Sequence, residues 1–93
     1  MIEYDMDKDA ENQRRRGLPF GAAEFLFDGP FVEEEDARFT YDEQRFIATG
    51  PIAMFGDRLF VVVYTWRDNV RRIISFRKAN DREVQKYRAS VAR

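Results

Sequence analysis

Residues 58–78 read RLFVVVYTWRDNVRRIISFRK, two strand-forming runs broken only by Asp68-Asn69. Val, Ile, Tyr, Phe and Trp suit extended chain, and a polar pair such as Asp-Asn tolerates the backbone of a tight hairpin turn. The stretch Leu59 to Tyr64 is continuously apolar, the mark of a central strand covered on both faces. A two-residue turn pairs residues whose numbers add to 137, so Thr65 faces Arg72, Val63 faces Ile74 and Val61 faces Phe76. In that register Val61, Val63, Ile74 and Phe76 form the core face. Phe60, Val62, Tyr64 and Trp66 then share the opposite face with Arg71, Ile73, Ser75 and Arg77. A three-residue turn would slip the register and move Arg72 to the aromatic side.

The remaining elements follow from caps and periods. "MIEYD" predicts a short first strand with Ile2 and Tyr4 on one face. "DMDKDAENQRRRG" predicts a helix capped by Asp5 or Asp7, with acids in its first turns, Arg14, Arg15 and Arg16 at its end and Gly17 as its stop. "LPFGAAEFLFDG" predicts a second helix, with Phe20, Ala23 and Phe27 as its buried stripe and Leu26 adjoining them. "FVEEEDARFTYDE" predicts an edge strand and a loop, with Glu33–Asp36 as a solvated acidic run. "QRFIATG" is a strand ending at Gly50-Pro51, and Gly56-Asp57 marks a turn. Asn80 and Glu83 have capping-box spacing at the start of a last helix, which packs through Val84, Tyr87 and Val91. The predicted order is βααββββα, a single α+β domain over residues 1–93, with a mainly antiparallel sheet and helices on one face.

Composition narrows the chemistry. The 93 residues contain no Cys and no His. That excludes a disulfide scaffold, a thiol nucleophile and the usual imidazole base. No cofactor or metal site is expected: "EEED" could recruit a cation, but four consecutive acids on extended chain cannot converge on one ion. The apolar runs are too short to span a bilayer, and "MIEYDMDKD" lacks a signal-peptide pattern, so the cytoplasm is the expected location. Net charge is −1 overall, yet residues 1–43 carry thirteen acids and five bases while residues 44–93 carry four acids and eleven bases. This polarity implies either a basic surface for a polyanion or halves that neutralise one another on folding. Arginines alternating with aromatics suit RNA, since guanidinium groups bind phosphate and rings stack on unpaired bases. The alternative is ordinary cross-strand pairing with acids.

The ordered series "IEYD", Asn12, "RRRGLPF", "FDGP", "EQRFIATG", "LFVVVYT" and "RIISFRKANDREVQKY" resembles the BrnT family, toxins of type II toxin–antitoxin pairs, over almost the whole chain. The resemblance implies a RelE-like fold, metal-independent RNA cleavage that inhibits translation and growth, and neutralisation by a BrnA-like ribbon-helix-helix antitoxin that carries the pair to operator DNA. It points to Arg45, Arg72, Arg77, Lys78, Glu83 and Tyr87 by motif position. Two positions depart from the family pattern: Arg15-Arg16-Gly17 stands where members often have Lys-His-Gly, and Tyr4 where Trp is common.

The catalytic assignment expected from these residues is Arg72 and Arg77 on the phosphate, Glu83 or a perturbed Lys78 as base, and Tyr87 as proton donor or stacking ring. RNA contacts are expected from Arg45, Tyr64, Trp66 and Arg71. Glu83 has a competing role as the capping-box acid and Tyr87 as a core ring. Arg72 and Arg77 are five residues apart, so they share a face only if the strand bulges or Arg77 lies beyond its end. The alternative function is a non-catalytic RNA- or protein-binding module acting as antitoxin partner and co-repressor. Trp66 and Phe39 are the exposed aromatics expected to receive the antitoxin.

Overall fold

Strand β1 (Ile2–Tyr4) opens the computed structural model, which describes residues 1–38, 40 and 42–92. Helix α1 (Met6–Arg16) follows. Asp5 caps it by accepting from the N–H groups of Asp7 and Lys8, and Gly17 closes it at φ 69°, in the left-handed region that a stop of this kind requires. Next come β2 (Val32–Glu35), β3 (Arg45–Pro51), β4 (Leu59–Arg67), β5 (Val70–Lys78) and helix α2 (Asp81–Val91). The strands form one sheet in the order β1-β5-β4-β3-β2. Only the β1–β5 pair is parallel. The α+β, mainly antiparallel reading holds.

Residues Phe20–Asp28 form a 3₁₀ segment, not the predicted α-helix. The buried residues explain why. Phe20, Ala23 and Leu26 recur every three positions, the period at which 3₁₀ side chains align, and all three lie in the core. Phe27, placed in the stripe by an α-helical period, is only partly buried.

This segment packs on a sheet face formed by Ala48, Phe60, Val62, Tyr64, Ile73 and Phe76. The expected assignment of faces is therefore inverted over β4: the aromatic side is the core. Each large side chain sealed there contributes roughly 1.5–3 kcal/mol through removal from water. Helix α2 lies over the other face, tied to it by Arg77–Glu83 and Lys86–Glu34, so the helices do not all cover one side. Central β4 is buried on both faces, Val61 and Val63 on the α2 side.

The turn at Asp68 (φ 51°) and Asn69 (φ 65°) is the two-residue type, and Thr65 pairs with Arg72 as predicted. The register then shifts between Tyr64 and Val63. Tyr64 faces Ile73 but Val63 faces Ser75, so Ile74 is an extra residue, a β-bulge. The predicted pairs Val63–Ile74 and Val61–Phe76 are replaced by Val63–Ser75 and Val61–Arg77.

Beyond β1, among the described residues, the outer edge of β5 has no strand partner, and α1 reaches it through Asn12. Buried Asn12 donates its amide to the carbonyls of Phe76 (3.0 Å) and Leu18 (2.9 Å), supplying a partner that an edge strand otherwise seeks elsewhere. Asn12→Ala leaves both acceptors without it. The expected loss is about 2 kcal/mol, measured as a lower urea midpoint with unchanged slope.

Candidate functional site

The bulge decides which arginines can act together. Arg72 pairs with Thr65 and Arg77 with Val61, and those partners lie four residues apart on β4, hence on one face. A regular strand would separate Arg72 and Arg77; the extra Ile74 returns them to the same side. Their rows are on the order of 13 Å apart along the strand. Arg45 joins the Arg72 row because it also pairs with Thr65, whose hydroxyl donates to the Gln44 carbonyl at 2.7 Å.

At the α2 end, Arg77 and Glu83 form a two-pronged pair, Nη1 to Oε1 at 2.7 Å and Nη2 to Oε2 at 2.8 Å. Glu83 also accepts from the Asn80 N–H at 2.9 Å, and Asn80 Oδ1 accepts from the Glu83 N–H. The two expected roles of Glu83 coincide in one carboxylate: it caps the helix and holds an arginine. The Arg77 guanidinium, with help from the Asn80 N–H, outweighs partial burial and keeps the Glu83 carboxyl below the usual carboxylate value. Arg77 is correspondingly raised by Glu83. A carboxyl in that state is ionised but a weak base.

Tyr87 stands one turn after Glu83 and is half-buried. With Val32, Glu34, Ile47, Thr49 and Glu83 it lines a groove of about 290 Å³ between α2 and the sheet. Arg38 reaches the same groove. It is anchored on Asp36 by two bonds of 2.8 and 2.9 Å, and Asp36 is buried. This corrects the reading of Glu33–Asp36 as a solvated run at Asp36 alone; Glu33, Glu34 and Glu35 are exposed. Glu33 accepts from the Tyr64 hydroxyl on the core side while Glu34 holds Lys86 on the other, at 2.9 Å. The spacing Asp-x-Arg at 36–38 is the signal that could have flagged Arg38.

At the hairpin end, Arg72 approaches Glu3 at 3.9 Å and Arg67 pairs with Glu43 at 3.1 Å. The bond from Arg67, together with the nearby charges of Arg45 and Arg72, holds Glu43 below its ordinary value.

The expected RNA-contact aromatics fall on the other face. Tyr64 is 1% exposed, with its ring against Phe27, Phe46 and Trp66, so no base can stack on it. Burial first, then the bond to Glu33, pushes its hydroxyl upward. Arg71 lies over Phe27 (3.9 Å), Trp66 (4.6 Å) and Tyr64 (5.2 Å), a cation already occupied by rings. Trp66 remains 47% exposed. Lys78 is exposed, not buried, and it lies beside Arg15, Arg16 and Arg77. Phe39 lies outside the described residues.

A larger cavity, about 740 Å³, lies on the far side of α2 among Phe25, Pro30, Pro51, Met54 and Leu59. Its lining is mainly apolar and, among the described residues, sets Asp28 and Asp57 against the single cation Arg88, which makes it a poor place for phosphate. The arginine-bearing sheet face is the stronger site.

The fold is thus a small α+β domain that turns the guanidinium groups of Arg45, Arg72 and Arg77 to one face of its sheet. Residues 4–83 match the family described as ribonuclease toxin, BrnT, of type II toxin–antitoxin systems. The chain belongs to this family. No curated protein gives a significant match. Among the described residues, no helix is long and apolar enough to cross a membrane.

The depressed Glu83 value has a sign. Its stabilising contribution is complete above the ordinary value of 4.5 and is lost as pH falls through the lower folded value. Urea midpoints followed from about pH 7 to about pH 3 should fall less steeply below pH 4.5 in Glu83→Gln than in the parent chain, the variant being less stable at neutral pH.

Proposed function

We propose that the chain is a metal-independent endoribonuclease of RelE-like fold, acting on the face shared by Arg45, Arg72, Arg77, Glu83 and Tyr87. The observation that carries this reading is the bulge at Ile74, which turns Arg72 and Arg77 to the same side. In the reaction, the 2′-oxygen of RNA attacks the adjacent phosphorus and the 5′-oxygen leaves, giving a cyclic phosphate and a new 5′-hydroxyl. Charge accumulates on the non-bridging oxygens. Arg77 and Arg72 stabilise it, and Arg45 holds the neighbouring backbone.

Glu83 and Arg77 work as a coupled pair. While Arg77 grips Glu83, the carboxylate is a weak base. When the scissile phosphate takes over the guanidinium, Glu83 loses its strongest stabilising partner and its proton affinity rises, close to the 2′-hydroxyl that must be deprotonated. Tyr87, on the same helical face, donates to the leaving oxygen or stacks the adjoining base. Lys78 contributes charge and not proton exchange.

As a toxin of a type II system the chain has an antitoxin partner. We take it to be of the BrnA type, a ribbon-helix-helix protein that brings the pair to operator DNA and hides the basic face, with Trp66 as an exposed anchor beside that face. The cytoplasm, where RNA and operator DNA lie, is the compartment this activity requires.

Purified protein incubated with single-stranded RNA tests the reading. Cutting should persist in EDTA and fall on the order of a hundredfold or more in Arg77→Ala and in Arg72→Ala. Equal rates in both variants would remove the arginine face from the chemistry. RNA left intact by the parent chain would favour the non-catalytic binding module.

A further inference from the structure

The outer edge of β5 carries a second group of cations. A cleft of about 360 Å³ is lined by Arg15, Arg16, Leu18, Arg77 and Lys78, with no acid among them. These cations differ in their partners. Arg15 leans toward Glu11 at 4.0 Å, and both terminal nitrogens of Arg77 are held by Glu83. For Arg16 and Lys78, among the described residues, no carboxylate lies within ion-pair distance.

Arg16 is nonetheless fixed in place. Its Nη1 donates to Oδ1 of Asn12 at 2.9 Å, and Asn12 is buried and anchored by its amide to Leu18 and Phe76. An arginine serving only the dipole at the end of α1 needs no buried side chain to hold its head group. A guanidinium held by a neutral acceptor, beside an ammonium with no carboxylate within ion-pair distance, has its charge open to an outside anion.

We infer that this cleft binds a second phosphate of the RNA backbone, adjoining the one held on the arginine face. Arg16 and Lys78 make the contacts, Asn12 is the positioning residue for Arg16, and Arg77 forms the wall common to both phosphates. The inference rests on the ribonuclease reading for its ligand, and the substrate strand accordingly runs from the sheet face around the edge of β5 toward the end of α1.

The test uses a 2′-O-methyl single-stranded oligoribonucleotide, which binds but cannot be cut, titrated at several salt concentrations. Arg16→Gln and Lys78→Gln should each weaken binding several-fold and lower the slope of log K against log salt by about 0.7, the value for one lost phosphate contact on a single strand. Arg88→Gln, which also removes one charge but lies on the far side of α2, should leave the slope unchanged. Asn12→Ala, measured where it is folded, should lower the slope as Arg16→Gln does, and the double variant no further. A merely structural Asn12 would leave the slope intact. Parent-like slopes in Arg16→Gln and Lys78→Gln overturn the cleft.

Tripolyphosphate separates this inference from the ribonuclease reading. It should raise the melting temperature of the parent chain and raise it less in the Arg16 and Lys78 variants. Equal stabilisation of all three refutes the cleft even if RNA is cut. A difference that follows Arg16 and Lys78 while RNA stays intact upholds phosphate binding and removes the ribonuclease.

Discussion

One extra residue in β5 governs the arrangement of charge on this molecule. Side chains alternate along a strand, so five positions between two arginines place them on opposite faces. The bulge at Ile74 adds a half-step, after which Arg72 and Arg77 look the same way and Phe76 still meets Val62 in the core. Without it, Phe76 and Arg77 would both be misplaced: Phe76 would leave the apolar layer beneath the 3₁₀ segment and Arg77 would turn into it. Bulges that re-aim one side chain while preserving packing are common near functional sites for this reason.

The second constraint is competition for Arg77. Helix α2 has no fully buried residue, and its half-buried contacts are Glu83, Val84 and Tyr87. Besides these it is held by two ion pairs, the partly buried Arg77–Glu83 and the exposed, weaker Lys86–Glu34. A phosphate that draws Arg77 away weakens one of them. In the proposed reaction, binding on the arginine face and the seating of α2 are thereby linked, and the step that commits the guanidinium to substrate raises the basicity of the carboxylate it leaves.

Much of the fold was legible because its signals are local. The caps at Asp5 and Asn80, the turn at Asp68-Asn69, the strand boundaries and the edge position of β2 each depend on a few neighbouring residues. What was not legible depends on partners distant in sequence. The bulge arises from how Phe76 meets Val62, so pairing by a constant sum placed Ile74 and Phe76 a step wrong. The choice of core face followed from that error, since Phe60, Val62 and Tyr64 are as apolar as Val61 and Val63. An every-third-residue stripe in Phe20–Asp28 fits 3₁₀ and α geometry almost equally. For the candidate site, Arg72, Arg77 and Glu83 came from motif positions, but their shared face and the Arg77–Glu83 pair depend on the bulge and on the seating of α2, and Arg38, held by Asp36, carries a signal only in retrospect. Tyr64 and Arg71 were placed on an RNA surface by alternation alone, and the rings that claim Arg71 include Phe27, far away in sequence.

The contrast between an acidic first half and a basic second half resolves in a way that bears on binding. Glu3 meets Arg72, Glu34 meets Lys86 and Glu43 meets Arg67, so folding spends much of the opposed charge internally. Exposed pairs of this kind add little stability, about 0–1 kcal/mol each. That weakness suits a surface that must exchange carboxylates for phosphates, because an arginine held loosely by an acid is displaced at small cost. Arg77, held by two short bonds and partly buried, is the costlier exchange. A backbone phosphate has reason to arrive first at cations with no carboxylate to displace, and Arg16 and Lys78 stand beside Arg77 in that condition. Approach through the β5 edge, followed by transfer of Arg77 from Glu83 to the strand, is the order of events that the distribution of partners favours.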